Sequence, residues 1–205
     1  MEHLTGLYRS YERWFLLAIM FAVIGLLYLG AQLMPPLQSA AILSWDPIWH
    51  VPFVSSFIFL YWSLFLMPLF FLIGSGANAN QSFFRRWVLA VLASSVESVA
   101  AYVVWPLSLP YPTIGTDDLF GRLVELTYLI DVRSNFFPSQ HVTLAFLMAW
   151  GIAHERPVWR PALIVWATGI AVSTLFVRQH YVVDVIGGLV LAVIVWLALL
   201  RCVRR

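Results

Sequence analysis

The run Tyr181–Leu200, YVVDVIGGLVLAVIVWLALL, decides what kind of protein this is. Asp184 is its one charged residue, and the run has the length of helix, about 20 residues, that crosses a hydrocarbon core about 30 Å thick. Working outward, runs of the same character recur at Trp14–Met34, Val51–Ile73, Trp87–Trp105, Val142–Ala153 and Ala162–Val177. The last two are short and must borrow flanking residues such as His141 and His154. A re-entrant segment is the alternative for Val142–Ala153. Trp14–Met34 is too long for a signal-peptide core of about 7–15 residues, so it reads as a permanent helix. The expectation is an all-α integral membrane bundle of six transmembrane helices, with residues 1–205 forming a single domain.

Composition agrees. The chain is 61% hydrophobic and 11% charged, against about 25% charged in soluble domains. Such a chain cannot cover a water-facing surface, so the lipid bilayer is its expected partner. A net charge of +2 over 205 residues gives no footprint for nucleic acid. The single cysteine, Cys202, excludes an intramolecular disulfide and a cysteine-based metal cluster.

The chain has no lysine, and its 12 basic residues are all arginines. Arg9, Arg13, Arg85, Arg86, Arg156, Arg160, Arg201, Arg204 and Arg205 fall on one side of the six runs, while Arg122, Arg133 and Arg178 fall on the other. The positive-inside rule then places both termini in the cytoplasm. Trp45, Trp49, Trp87, Trp105 and Trp159 sit near span ends, as an aromatic belt would. The longest outer loop begins with the proline-rich stretch Pro106–Pro112, which should run extended. It continues into 118–130, where Leu119, Leu123, Leu126 and Ile130 recur at helical spacing. Asp118, Arg122 and Glu125 lie on another face, which predicts a short amphipathic helix on the membrane surface or packed on the bundle.

Two segments carry chemistry. Asn135-Phe136-Phe137-Pro138-Ser139-Gln140-His141 opens the fourth run, and Arg178-Gln179-His180-Tyr181-Val182-Val183-Asp184 opens the sixth. Both begin a helix on the outer face, where free N–H groups and partial positive charge suit a phosphate. Ser139 is placed as an N-cap. His180 and Asp184 are spaced i, i+4, so the carboxylate can fix one imidazole nitrogen and leave the other to attack. His141 can protonate a departing oxygen. Arg178 and Arg133 can grip phosphoryl oxygens. The alternatives for Asp184 are a salt bridge to Arg178 or a proton relay, and a His/His/Asp set also binds zinc. Glu97, inside the third run among Ser94, Ser95 and Ser98, is either functional or bonded to a neighbouring helix.

At these residues the sequence resembles the phosphatidic acid phosphatase type 2 superfamily of membrane lipid phosphatases and phosphotransferases. Pro138-Ser139-Gln140-His141 matches the family motif PSGH except for glutamine. Ser173, His180 and Asp184 match SRxxxxxHxxxD, with Thr174 in place of its arginine. The lysine-containing first motif has no counterpart. These departures resemble the inositol phosphorylceramide synthase-like branch, and the likeness covers about residues 85–200.

The resemblance implies His180 as nucleophile, Asp184 as its orienting partner and His141 as acid. It also implies phosphate contacts from Ser139 and the adjacent backbone at Gln140, and no metal or other cofactor. Arg178 and Arg133 stand in for the missing cations by position alone. The expected activity is removal of phosphate from a lipid phosphomonoester or pyrophosphate through a phosphohistidine, at the outer face of the inner (plasma) membrane. Transfer of a phospho-head group onto a lipid alcohol acceptor is the first alternative. A non-catalytic lipid-binding or transport protein is the second.

Overall fold

The computed structural model describes residues 2–33, 37, 39–74, 80–114, 118–131 and 137–203, without the side chains of residues 2–10, 74 and 203. Among these residues the chain is helical: α1 (Glu2–Leu33), α2 (Ile58–Trp62), α3 (Met67–Gly74), α4 (Gln81–Val104), α5 (Leu119–Ile130), α6 (Gln140–Glu155), α7 (Arg160–Phe176) and α8 (Val182–Val203). Among the described residues five stretches are long and apolar enough to cross a membrane: Tyr11–Leu33, Ser55–Ile73, Gln81–Val104, Pro157–Phe176 and Val182–Cys202. Their outward faces carry Phe15, Leu26, Leu89, Val165 and Ile194 exposed, a surface suited to lipid rather than water. Ser55–Ile73 is not one regular helix, because α2 and α3 are joined by the 3₁₀ turn Ser63–Leu66.

The sixth expected span is a different object from the other five. α6 has 16 residues, or about 24 Å at 1.5 Å per residue, so by itself it falls short of a hydrocarbon core. Protein surrounds it instead. Val142–Ala149 and Gly151–Ala153 are buried, and α6 packs against α3, α4, α7 and α8. Polar side chains at membrane depth belong in a bundle interior rather than against lipid, and Gln140 and His141 line a cavity there while Thr143 bonds to α8.

Each end of α6 is fastened by polar contacts. At its C-terminus the Glu155 carboxylate takes two hydrogen bonds from the Arg13 guanidinium, at 2.8 and 2.9 Å. The Arg13 side chain is 3% exposed, its Nε donates to Gln81, and its guanidinium carbon lies 4.6 Å from the centre of the Phe84 ring. Removing one partner of so buried a pair strands the other charge. At the N-terminus, Ser139 caps the helix as expected, its hydroxyl accepting from Val142 N–H at 3.3 Å. The Ser139 N–H donates to the Asp184 carbonyl at 3.0 Å, and the Thr143 hydroxyl donates to the Gly188 carbonyl at 3.0 Å. Only glycine fits at 188, where a Cβ would stand 2.4 Å from the Ser139 carbonyl oxygen. The start of α6 is thereby fixed against the start of α8.

The expected amphipathic helix is α5, capped by the Asp118 carboxylate accepting from Gly121 N–H at 2.6 Å. Its packed face is Gly121, Val124 and Thr127, whereas Leu119, Leu126 and Ile130 are exposed. The predicted stripe is therefore split: Leu123 packs on the cluster of Ile58, Tyr61, Val124 and Val177, while Leu119, Leu126 and Ile130 are left available to the membrane surface. The stretch Pro106–Pro112 runs without helix, as expected, and pairs at Leu107 with Ala41 through an isolated parallel bridge.

Candidate functional site

The two histidine-bearing segments meet. The rings of His141 and His180 are 6.3 Å apart between centroids, with planes inclined by 56°. His180 Nδ1 is 3.5 Å from Oδ2 of Asp184, which is fully buried and also accepts the Tyr181 N–H at 2.8 Å. The His180 N–H donates to the Thr174 carbonyl at 3.3 Å, and that of Gln179 to the same oxygen at 2.9 Å. These bonds hold the 179–181 turn in place between α7 and α8.

A cavity of about 280 Å³ opens in front of the histidines. Phe21, Ile24, Leu64, Phe65 and Leu144 supply apolar wall, and Gln140, His141, Gln179 and His180 supply the polar floor. Gln140 Nε2, Gln179 Nε2 and His141 Nε2 are buried and have no hydrogen-bond partner among the described residues. Three unmet polar atoms on one cavity are unusual, since buried polar groups are nearly always bonded. Their common need is a polar group delivered by a ligand. No group of three or more His, Cys, Asp or Glu side chains capable of holding a metal occurs among the described residues.

The remaining expected site residues fall elsewhere. Ser139 is buried with its hydroxyl committed to the cap, behind the cavity rather than on its wall. Arg178 turns away: its Nη2 donates to the Val51 carbonyl at 2.6 Å, and its backbone adopts a left-handed φ of 54°. Arg133 lies outside the described residues. Thr174, where a motif arginine was missing, is buried and bonds back to the Ala171 carbonyl. Glu97, one of whose readings was a bond to a neighbouring helix, has an exposed side chain, while Ser94, Ser95 and Ser98 are buried and bond to carbonyls of their own helix.

One expectation needs correction. The N-terminus of α8 is not open to an anion, because a protein carboxylate already occupies it. Buried Asp46 accepts from Val182 N–H at 3.0 Å and Val183 N–H at 3.1 Å, and from Ile48 N–H at 2.8 Å. With Asp184 taking the Tyr181 amide, the first donors of the helix are satisfied internally.

The site also holds residues that motif spacing did not single out. Tyr61 stacks on His141 with centroids 4.2 Å apart, and its hydroxyl is 3.4 Å from His141 Nδ1. That hydroxyl donates to Asp131 Oδ2 at 3.5 Å, and Tyr28 donates to Asp131 Oδ1 at 2.5 Å. Burial raises the Asp131 carboxyl above its ordinary range, and the Tyr28 hydroxyl draws it part of the way back. Asp46 carried a readable signal, since Asp before Pro47 is a turn and cap pattern; Gln179 lay inside a segment read as chemical but without a role of its own, and Tyr61 carried no signal.

No curated protein matches the chain. Residues 109–205, a segment that contains Asp131, His141, Gln179, His180 and Asp184, match the family model of the PAP2 superfamily.

Proposed function

We propose that the chain is a membrane enzyme of the PAP2 superfamily that breaks a phosphoester or pyrophosphate bond of a lipid through a phosphohistidine on His180. Members of that superfamily are generally phosphatases or phosphotransferases, which fits the matched segment. The observation that carries the reading is the pair His141 and His180, 6.3 Å apart between ring centroids, sharing the polar floor of a cavity with apolar walls. A phosphoryl group held in front of both imidazoles would be within reach of each, and the apolar walls suit a hydrocarbon chain.

In the proposed reaction, His180 Nε2 attacks phosphorus while Asp184 holds the proton on Nδ1. The bond from phosphorus to the lipid oxygen breaks, and His141 Nε2 gives its proton to that oxygen. Water activated by the returned base at His141 then hydrolyses the phosphohistidine. Gln140 and Gln179 donate their carboxamide N–H groups to phosphoryl oxygens, replacing the cations absent from the motifs. In this reading α6 is a sixth, internal span. The arginine distribution supports an orientation with both termini in the cytoplasm, and in this reading the site opens at the outer face of the inner (plasma) membrane.

A second reading is head-group transfer, and the carboxamide floor favours it. A phosphomonoester carries about −1.5 to −2 charges at neutral pH, whereas a phosphodiester carries one, which neutral amides match better. The first experiment measures phosphate release by purified protein without added metal, from phosphatidate, phosphatidylglycerol phosphate, undecaprenyl pyrophosphate and sphingoid phosphates. Release that survives chelator and vanishes in His180→Ala supports hydrolysis. No release from any of them sinks it, and labelled phosphodiester donors with lipid alcohol acceptors then test transfer.

A further inference from the structure

The hydrogen-bonded series Tyr28, Asp131, Tyr61 and His141 is not used by the scheme above, although it ends on the acid. Its members come from α1, the end of α5, α2 and α6, so four separate elements converge on one imidazole. Tyr28, Tyr61 and Asp131 also line the cavity. The Tyr61 hydroxyl has one hydrogen. It is donated to Asp131 Oδ2, so toward His141 the hydroxyl oxygen is an acceptor.

We infer that Asp131, acting through Tyr61, is the positioning residue that keeps the proton of neutral His141 on Nδ1 and stabilises its charged form, as Asp184 does for His180. This rests on the reading of His141 as the leaving-group acid. Nδ1–H donates to Tyr61, Tyr61 donates to Asp131, and Tyr28 supports the second carboxylate oxygen. His141 Nε2, otherwise without a partner, is left facing the substrate. When the lipid oxygen departs it takes the Nε2 proton, and the imidazole returns to the neutral Nδ1–H form. In hydrolysis, Nε2 then accepts a proton from the attacking water, which restores the acid for the next turnover.

The test compares two leaving groups. An alkyl lipid phosphate needs a proton on its departing oxygen, whereas p-nitrophenyl phosphate leaves as a stable anion. Tyr61→Phe and Asp131→Asn should lower kcat for the alkyl ester about tenfold or more, a share of the ~10²–10⁴ that a positioned acid contributes. They should change the aryl ester far less, in parallel with His141→Asn, and Asp131→Glu should recover part of the loss. Equal losses on both esters would make the series merely structural and overturn the inference. ¹⁵N spectra of histidine-labelled protein in micelles give a readout besides activity. Neutral His141 should carry its proton on Nδ1 in the wild type and lose that preference in Tyr61→Phe. A wild-type proton on Nε2 refutes the relay. Absence of phosphate release with the Nδ1 tautomer intact instead refutes the lipid hydrolase reading alone.

Discussion

Oδ2 of Asp184 accepts the Tyr181 N–H at 2.8 Å and lies 3.5 Å from His180 Nδ1. One oxygen thus ties the imidazole to the first turn of α8. Asp184→Asn separates the two roles. A carboxamide oxygen can still accept the amide hydrogen, so thermal unfolding in detergent should move by only a few degrees. The same side chain cannot stabilise a positively charged imidazole, and phosphate release should fall by about 10²–10⁴. A variant that keeps activity would show that Asp184 is a helix cap and nothing more.

Asp46 anchors the same helix from the other side of the chain. It is 2% exposed and accepts from Val182 and Val183. Loss of an N-cap carboxylate costs about 0.5–2 kcal/mol, and Asp46→Ala should lie at the upper end because the Ile48 amide loses its partner too. Asp46→Asn, which keeps one acceptor oxygen, should recover about half of the drop in unfolding temperature. Since Asp46 touches no cavity atom, its loss should lower activity in step with folded protein and leave KM alone.

Gln140 and Gln179 are 7% and 3% exposed, with unmet Nε2 atoms on the cavity floor. If they bind phosphoryl oxygens, Gln140→Leu and Gln179→Leu should each raise KM about tenfold or more, the value of a hydrogen bond to a charged group. Gln179→Glu should be worse still, because it sets a like charge against the phosphate. Unchanged KM in both leucine variants would remove the carboxamides from the site.

Gly25 lines the apolar side of the cavity, and a Cβ placed there meets nothing within 4 Å. Gly25→Leu should therefore fold normally while projecting a side chain into the space assigned to the lipid tail. KM should rise for long-chain substrates and stay level for water-soluble short-chain ones. Parallel changes for both would place the tail elsewhere.

The sequence made His141, His180 and Asp184 visible because their chemistry is local: two helix starts and one i, i+4 pair. The same local reading gave the cap at Ser139. The contacts behind them were not visible for a plain reason of chain distance. Tyr61 reaches His141 across 80 positions, Tyr28 reaches Asp131 across 103, and Asp46 reaches Val182 across 136. Hydropathy likewise revealed the lipid-facing helices but gave α6 only a short run, because a helix wrapped in protein is free to carry polar residues. Arg178 misled for the opposite reason. It is adjacent to His180 in sequence, yet the left-handed turn at 178 sends its side chain to Val51.

Asp131 predicts a dependence of stability on pH whose sign is fixed by its burial. The carboxyl sits at the C-terminal end of α5, and desolvation raises its folded-state value above the ordinary 3.8, against the opposing pull of Tyr28, His180 and Tyr61. As pH rises through the interval above 3.8, the unfolded chain loses this proton first, so the folded state holds more protons. Stability must then fall with rising pH across that interval and level off once both states are ionised. Each tenfold displacement of proton affinity is worth about 1.4 kcal/mol. Asp131→Asn removes the titration, so its unfolding temperature relative to wild type should climb from about pH 4 upward and then reach a plateau. A difference that is constant with pH, or that shrinks as pH rises, would mean that the two tyrosines hold Asp131 ionised without cost, and the desolvation argument would fail.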